Sequence, residues 1–246
     1  MNILITGASG GFGKLTVTDL VKAGHRVVGS MRDIAGRNAA AAAEFKAMGV
    51  DVVEIDVTDD ASVEAGVAKA ADILGQVDTL INNAGIGAHG LQENFSADDF
   101  RRLFEINVFG VQRMIRAVLP AMRARGDGLV LNISSLLGRV ALPFYGPYNA
   151  SKWALEAMSE NYRAELSAFG VDVALVEPGG FPTRFIDNLM QPSSRDRDPS
   201  YAEMAEAPKA SLEGFEGFLA ANPQQNPQLV ADAVVAVIGA RPGTRP

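Results

Sequence analysis

The chain contains no cysteine and only two histidines, His25 and His89, among its 246 residues. Disulfide bonds, iron–sulfur clusters, cysteine nucleophiles and zinc sites made of thiolates or several imidazoles are therefore excluded. Acid–base chemistry would have to come from tyrosine, lysine, serine or carboxylate side chains, or from one of the two histidines alone. We predict no metal site, and we expect His89 to lie on a solvated loop, with contact to a substrate as the alternative.

An excess of basic charge is absent as well, because 22 lysine and arginine residues stand against 29 aspartate and glutamate residues, a net charge of −7. This balance argues against a protein that binds nucleic acid or an anionic membrane surface through clustered basic residues. No apolar run approaches the length of a membrane span, and the first residues, MNILITG, lack the positive charge of a signal peptide. The sequence predicts a soluble, cytoplasmic protein whose partner is a small molecule.

Short apolar runs alternate with helix-length segments along the chain. The apolar runs span residues 2–6, 26–30, 51–55, 78–82, 128–134 and 171–177. The helix-length segments span residues 12–23, 38–48, 60–74, 97–125, 149–169 and 228–240. Near-continuous apolar strands separated by helices are typical of parallel sheets that are covered on both faces. The pattern predicts a single α/β domain over residues 1–246, built on a doubly wound parallel sheet.

Residues 186–228 interrupt this alternation. They are rich in proline, serine and acidic residues but still carry large apolar side chains such as Met190 and Phe215. We interpret the segment as a substrate lid of short helices over the carboxyl edge of the sheet. A flexible surface loop is the alternative.

A glycine-rich turn, TGASGGFG at residues 6–13, follows the first apolar run directly. Gly7, Gly11 and Gly13 allow positive φ angles and a close approach of backbone N–H groups to a pyrophosphate. The helix that follows would add the partial positive charge of its N-terminus. Turns between strand and helix also use glycine for steric reasons alone, but the position after the first strand favours nucleotide binding.

The end of the second apolar run bears on which nucleotide is bound. Sites for NAD usually place an acidic residue there to hold the ribose 2′-hydroxyl, whereas sites for NADP place an arginine near the 2′-phosphate. Here the residues are Ser30, Met31 and Arg32, and no acidic residue comes before Asp33. Because arginine can hold a phosphate through two hydrogen bonds, the sequence favours NADP(H) over NAD(H). The alternative is that Arg32 is solvated on a loop.

Tyr148 and Lys152 are four residues apart in the segment YNASK, so they share one face if a helix begins here. A nearby ammonium favours the phenolate form and would lower the pKa of the tyrosine from about 10 toward neutral pH. Such a phenol can move a proton to or from an alcohol oxygen. Tyr145 is a weaker candidate, because no lysine follows it at the same spacing.

Taken in order, the motifs of the chain resemble those of the short-chain dehydrogenase/reductase family over nearly its whole length. The matching residues are TGASGGFG at 6–13, DVTD at 56–59, NNAG at 82–85, Asn107, NISS at 132–135, YNASK at 148–152 and EPGGFPT at 177–183. The resemblance implies a Rossmann-type sheet with strand order 3-2-1-4-5-6 and an oxidoreductase activity that uses a nicotinamide cofactor.

The resemblance also implies roles for individual residues. Tyr148 would be the general acid or base, and Ser135, thirteen residues earlier, would orient the substrate oxygen. Lys152 would hold the nicotinamide ribose and lower the pKa of Tyr148, and Asn107 would hold a water that links Lys152 to solvent. Besides Tyr148 and Lys152, the cofactor residues would be Gly7, Ser9, Gly11, Phe12, Gly13, Arg32, Asp56, Val57, Asn83, Ala84, Gly85, Pro178, Gly179, Phe181 and Thr183. We expect substrate contacts from Leu137, Tyr145, Phe181 and Phe185.

The sequence departs from the family pattern at two places. The position before the middle glycine, which is basic in many NADP-dependent members, is Gly10 here. Family members usually add a seventh strand after the last helix, whereas only GTRP remains at residues 243–246. These departures put the cofactor preference and the seventh strand in doubt.

The residues and the resemblance together favour an NADP(H)-dependent oxidoreductase that interconverts a secondary alcohol and a ketone. The mostly apolar candidate pocket suggests a steroid-like, retinoid-like or smaller aromatic carbonyl substrate. The alternatives are a sensor or scaffold that binds NADP without chemistry, and a sugar-nucleotide epimerase or dehydratase on the same fold. The resemblance further implies a homodimer or homotetramer formed through the helices at 97–125 and 149–169.

Overall fold

One parallel sheet of six strands organises the computed structural model, which describes residues 1–245. The strands are β1 Asn2–Ile5, β2 Arg26–Met31, β3 Asp51–Glu54, β4 Thr79–Asn82, β5 Gly128–Ile133 and β6 Val171–Val176. Their order is β3-β2-β1-β4-β5-β6, and Ile3 of β1 is in register with Val27 of β2 on one side and Thr79 of β4 on the other. The predicted α/β class and strand order are confirmed.

Helices cover both faces of this sheet. They are α1 Gly11–Lys22, α2 Ala39–Ala47, α3 Asp60–Leu74, α4 Ala97–Phe104, α5 Gly110–Arg125, α6 Gly146–Leu166, α7 Ala207–Ala221 and α8 Gln228–Gly239. One hydrophobic core joins the sheet to α3, α5 and α6, and the other joins it to α1, α2 and α8. Because the inner strands are buried on both faces, their apolar residues run almost without interruption, whereas the edge strand β3 begins and ends with exposed acidic residues. Because all the strands are parallel, their carboxyl ends lie at the same edge of the sheet, where the loops that follow them can form a site.

The segment 97–125, which the sequence predicts as one helix, contains an irregularity. Helix α4 ends at Phe104, a π-helical segment spans Glu105–Phe109, and α5 begins at Gly110. Gly110 lies against Val57, and a Cβ at this position would stand 2.8 Å from Val57 Cγ2. Single π-helical turns inside α-helices often occur at functional sites.

Helix α6 starts earlier than the predicted residue 149. Its first residues are Gly146 and Pro147, and proline suits the first turn because its missing N–H would have no partner within the helix. The earlier start places Tyr148 inside the helix, so Tyr148 and Lys152 do share one face.

Residues 186–206 lie against the loop that follows β4. Met190 pairs with Ala88 in a short parallel bridge, and the Ser193 hydroxyl donates a 2.7 Å hydrogen bond to the Asp99 carboxylate. The segment contains 3₁₀ turns at Ile186–Asn188 and Asp198–Glu206, followed by α7. The predicted helical character is present, although the 15 residues of α7 make it longer than the short helices expected.

The outer edge of β6 contacts the end of the described chain. The Asp172 carboxylate accepts a 3.0 Å hydrogen bond from the Gly243 N–H and pairs with the Arg245 guanidinium at 2.8 Å. Within residues 1–245 no seventh strand adds to β6. Across the same residues, no helix is long and apolar enough to span a membrane.

Candidate active site

The glycine-rich turn forms a cradle between β1 and α1. Gly7 and Gly11 have φ angles of +65° and +53°, which side-chain-bearing residues rarely adopt. A Cβ at Gly13 would stand 2.4 Å from the Gly7 carbonyl oxygen, so only glycine allows the helix to start this close to the turn. The first turn of α1 has no acidic side chain, which leaves its N-terminal N–H groups and partial positive charge open to an anion.

Asn83 and Thr6 hold this cradle in place. The Asn83 side-chain amide donates hydrogen bonds to the carbonyl oxygens of Thr6 and Gly7, each at 3.0 Å. In return, the Thr6 hydroxyl accepts hydrogen bonds from the backbone N–H groups of Asn83 and Ala84 at 3.1 and 3.0 Å. Asn83 thus positions the turn, and Thr6 is a site residue that the sequence analysis missed.

The predicted adenosine end of the site lies beyond β2 and β3. The Arg32 guanidinium is 3.6 Å from the Asp56 carboxylate, and both side chains are partly exposed. Burial would raise the pKa of Asp56, but hydrogen bonds from Thr58 and the charge of Arg32 outweigh it and lower the pKa. Val57 is buried against Gly110, and its carbonyl oxygen accepts a 3.3 Å hydrogen bond from Arg113.

The predicted catalytic residues meet at the carboxyl ends of β4 and β5. Tyr148 and Lys152 are buried, with 7% and 6% of their surfaces exposed, and Lys152 Nζ lies 5.8 Å from the centre of the Tyr148 ring. The Ser135 hydroxyl accepts a 3.1 Å hydrogen bond from the Leu137 N–H, and it lies close enough to the Tyr148 hydroxyl to act on its pKa. The structure therefore brings Ser135, Tyr148 and Lys152 together.

Burial controls the protonation of both groups. It raises the pKa of Tyr148 to about 12, and the nearby Ser135 hydroxyl acts against this shift. It lowers the pKa of Lys152 to about 8, and the charge of Glu156 acts against that shift. The pKa of Tyr148 thus moves opposite to the direction expected of Lys152, because loss of hydration penalises the phenolate more than its neighbours stabilise it. Near neutral pH, Tyr148 is protonated and Lys152 is charged.

Asn107 occupies the middle of the π-helical segment and is almost completely buried. Its Oδ1 accepts a 2.9 Å hydrogen bond from the Ile86 N–H, and its Nδ2 donates to the Ile86 carbonyl oxygen at 2.9 Å. Nδ2 also donates to the Ser151 hydroxyl at 3.1 Å. An ideal Cβ at Gly85 would stand 3.2 Å from Asn107 Oδ1 and 4.0 Å from Lys152 Nζ, so Asn107 and Lys152 face the same loop.

The loop after β6 covers the cradle from the other side. The Phe181 and Phe12 rings lie edge to face with their centres 5.7 Å apart, so the predicted cofactor residues of the two loops are in contact. The Pro178 carbonyl oxygen accepts a 2.9 Å hydrogen bond from the Leu136 N–H. The Thr183 hydroxyl accepts one from the Phe185 N–H at 3.3 Å. Gly179 lies on the loop after β6, between Pro178 and Phe181. Ser9 lies in the glycine-rich turn before Phe12.

Apolar and aromatic side chains surround Tyr148. The Phe185 ring lies 5.4 Å from the Tyr148 ring, and Leu137 and Tyr145 pack in the same cluster. Three of the four predicted substrate residues therefore lie in or beside the apolar cluster that contains Tyr148. The fourth, Phe181, packs against Phe12 at the cradle instead.

His89 is buried rather than solvated as expected. Its ring lies 4.6 Å from the Tyr145 ring, and Nε2 is sealed from solvent with no hydrogen-bond partner in residues 1–245. Burial lowers its pKa, so the ring is neutral. The pairing of residues 87–89 with Met190 causes the burial, and that contact is too distant in sequence to be foreseen.

The sequence analysis also missed a charged cluster that begins one helical turn after Lys152. Glu156 is 4% exposed, and its carboxylate lies 3.0 Å from the Arg139 guanidinium, which also pairs with Glu177 at 2.9 Å. The sequence signal that could have found it is the spacing, because Glu156 follows Lys152 by four residues on the same helix.

Comparison with known proteins gives a consistent result. The family model described as short chain dehydrogenase matches residues 1–193. The 3-ketodihydrosphingosine reductase of Bacteroides thetaiotaomicron is 39% identical over 201 residues, 82% of this chain and 71% of that protein. Human retinol dehydrogenase 8 is 35% identical over 259 aligned residues, 99% of this chain and 78% of that protein.

Solved structures agree with these relatives. A short-chain dehydrogenase/reductase from Burkholderia phymatum in complex with NAD has a TM-score of 0.82 and 27% identity, over 96% of this chain and 85% of that one. A point variant of actinorhodin polyketide ketoreductase with NADPH has a TM-score of 0.80 and 28% identity, over 97% of this chain and 90% of that one.

Proposed function

The chain belongs to the short-chain dehydrogenase/reductase family, and we propose that it is an NADP(H)-dependent reductase that converts an apolar ketone to a secondary alcohol. The observation that carries this proposal is the buried Tyr148, which has the Ser135 hydroxyl beside its own hydroxyl and Lys152 Nζ 5.8 Å from the centre of its ring. Family membership supports the oxidoreductase class, and the geometry of these three side chains supports the role of each.

The residues of the cradle fit a nicotinamide dinucleotide. Glycine at positions 7 and 13 leaves room that a Cβ would fill, and the start of α1 presents open N–H groups to a pyrophosphate. When bound, the reduced nicotinamide supplies a hydride to the carbonyl carbon.

Tyr148 would supply the proton. Because its pKa is raised to about 12, the hydroxyl stays protonated near neutral pH and can donate to the carbonyl oxygen as a general acid. Ser135 would hold the same oxygen through a hydrogen bond. A protonated Tyr148 supports the reducing direction at neutral pH, whereas oxidation would need the phenolate.

Lys152 and Asn107 would support Tyr148. The ammonium of Lys152 would stabilise the phenolate left after proton transfer and hold the nicotinamide ribose. Asn107 fixes the loop at Ile86 beside Lys152, and a water held there would return a proton to the site from solvent.

The preference for NADP(H) rests on Arg32. Its guanidinium is partly exposed at the end of β2, and the adjacent position is the buried Met31 rather than an acid. A 2′-phosphate would compete with Asp56 for Arg32, because the two charges now lie 3.6 Å apart. One similar structure contains NADPH and another contains NAD, so the preference of this chain for NADP(H) rests on Arg32 rather than on these structures.

An apolar substrate is supported by the surroundings of Tyr148. The Phe185 ring packs beside Tyr148, and Leu137 and Tyr145 belong to the apolar cluster around it. The names of two relatives include ketodihydrosphingosine and retinol, and both of these molecules are mostly hydrocarbon. A homodimer or homotetramer through α5 and α6 is supported by the exposed Trp153 on α6 and Phe109 just before α5. The lid at 186–228 and the cytoplasmic location stay predictions.

A panel of ketones assayed with NADPH and with NADH tests this function. We expect oxidation of NADPH with long or aromatic ketones, at a higher kcat/KM than with NADH. Turnover confined to small polar carbonyl compounds would contradict the substrate class, and absence of turnover with every ketone and both cofactors would contradict the reaction.

A further inference from the structure

Lys152 has a buried acidic neighbour on its own helix. Tyr148, Lys152 and Glu156 are spaced by four residues, so they form one row along the face of α6 that turns toward the sheet. All three side chains are buried, and Glu156 is 4% exposed. A carboxylate at this depth is costly unless an opposite charge or a hydrogen bond compensates it.

The compensation for Glu156 comes from charge. Both carboxylate oxygens are sealed from solvent, and neither accepts a well-formed hydrogen bond from residues 1–245. The Arg139 guanidinium lies 3.0 Å away, and Lys152 precedes Glu156 by one turn of the helix. Glu156 therefore has two basic neighbours, one in direct contact and one a helical turn away.

Arg139 ties this row to two loops of the site. It follows Ser135 by four residues, and its guanidinium also pairs at 2.9 Å with Glu177, which begins the EPGGFPT loop. Charges alternate in sign from the buried Lys152 through Glu156 and Arg139 to Glu177 at the surface. The order is fixed by three separate segments, α6, the segment after β5 and the loop after β6.

Gly138 shows how closely the segment after β5 packs on Glu156. A Cβ at Gly138 would stand 2.9 Å from Glu156 Cγ and 3.0 Å from Glu156 Oε1. The Ser135 segment thus rests directly on the Glu156 side chain, and the carboxylate has little room to move.

We propose that Glu156, held by Arg139, is a positioning residue that keeps Lys152 charged and fixes the Ser135 segment to the catalytic helix. Lys152 is almost fully buried, so loss of hydration favours its neutral form. The negative charge of the Glu156 carboxylate favours the ammonium form instead. Without Glu156, Lys152 would release its proton at a lower pH. The proposal rests on the proposed function of Lys152.

The charged and titratable groups around this pair come from several elements. Helix α6 contributes Tyr148 and Glu160, the segment after β5 contributes Arg139, and the loop after β6 contributes Glu177. The π-helical segment contributes the neutral Asn107. Burial raises the pKa of Glu156 and so does Glu177, while the Ser134 hydroxyl and Arg139 oppose the shift.

The test is the pH dependence of the full-length enzyme and its Glu156→Gln variant. We expect the alkaline limb of kcat/KM to move to lower pH by about half a unit or more, because glutamine keeps the shape but removes the charge. Binding of NADPH, followed by its fluorescence over the same pH range, should weaken from a correspondingly lower pH. The double variant Glu156→Gln/Arg139→Gln removes both members of the pair, so that no arginine is left facing the new amide, and its limb should move in the same direction.

Arg125→Gln is the matched control. Arg125 is a partly buried arginine with an acidic neighbour, Asp78, at the opposite edge of the sheet, and its loss should leave the limb unchanged. A limb in the Glu156 variants that coincides with the wild-type limb, or moves to higher pH, would overturn the proposal even if stability falls. A wild-type protein that binds NADPH but reduces no ketone would overturn the proposed function alone, and the binding profile would still decide the role of Glu156. Absence of NADPH binding would overturn both.

Discussion

Lys152 Nζ donates a 2.8 Å hydrogen bond to the carbonyl oxygen of Ile133, the last residue of β5. This contact joins helix α6 to the strand end two residues before Ser135. Tyr148 and Lys152 are therefore held by one helix that is tied to the end of β5, and Ser135 follows directly after that strand end. Such a frame keeps the distances between them fixed when a substrate enters.

The first prediction concerns the alkaline side of the pH profile. Burial lowers the pKa of Lys152 to about 8, so the ammonium needed beside Tyr148 is lost as the pH rises through that value. We expect kcat/KM for ketone reduction to be highest below about pH 8 and to fall above it. The measurement is kcat/KM across the neutral and alkaline range with saturating NADPH. A profile that stays flat well above pH 8 would contradict the assignment.

The lowered pKa of Lys152 also predicts how the free energy of unfolding depends on pH. The folded-state pKa of Lys152 is about 8, below the ordinary value of 10.5, so the unfolded chain binds this proton more tightly. The burial cost is therefore fully present below pH 8 and is relieved as the pH rises toward 10.5. Lys152→Met should remove this contribution, and denaturant unfolding of both proteins at several alkaline pH values measures it. An identical pH dependence in the two proteins would contradict the shift.

The glycine cradle gives a second kind of test. In Gly13→Ala, the new Cβ would stand 2.4 Å from the Gly7 carbonyl oxygen and 2.7 Å from Asn83 Nδ2, so the turn must shift. We expect the affinity for NADPH, measured by fluorescence titration, to fall by about tenfold or more, which corresponds to about 1.4 kcal/mol. Gly239→Ala serves as the control because nothing lies within 4 Å of its ideal Cβ. Equal affinities in the two variants would argue against the cradle.

Arg32 decides the cofactor preference in our account. Replacing it in Arg32→Ala removes a charged hydrogen-bond donor to the 2′-phosphate, and we expect the kcat/KM with NADPH to fall about 10- to 100-fold. The value with NADH should change little, since NADH has no 2′-phosphate. Arg101→Ala, which removes an exposed arginine paired with Asp98 on the same helix, controls for net charge. An unchanged preference for NADPH in Arg32→Ala would refute this role.

Not all of this could be read from the sequence. The strands follow from apolar runs separated by helical segments, since a parallel sheet buried on both faces leaves that pattern, whereas their order came from the resemblance to the family. The proximity of Tyr148 and Lys152 was also predictable, because helical spacing is a local property, whereas Ser135 was found through the resemblance to the family. The π-helical segment was not, because it depends on the Asn107 side chain meeting Ile86, 21 residues away.

Burial of charged and polar groups was the other feature hidden from the sequence. The spacing of Glu156 from Lys152 is visible, but its contact with Arg139 depends on how the segment after β5 packs on α6. The direction of the Tyr148 shift was missed for the same reason, since spacing reveals the nearby charge but not the loss of water around the phenol.

The central claim is that the Tyr148 hydroxyl moves the proton, and Tyr148→Phe tests it most directly because it removes one oxygen from a buried ring. We expect kcat for ketone reduction to fall by about 10²- to 10⁴-fold, while NADPH binds with an affinity near that of the wild type. Tyr162→Phe, which removes a hydroxyl that donates to Gln112 away from the site, should keep its activity. Turnover by Tyr148→Phe within a few-fold of the wild-type rate would contradict the account.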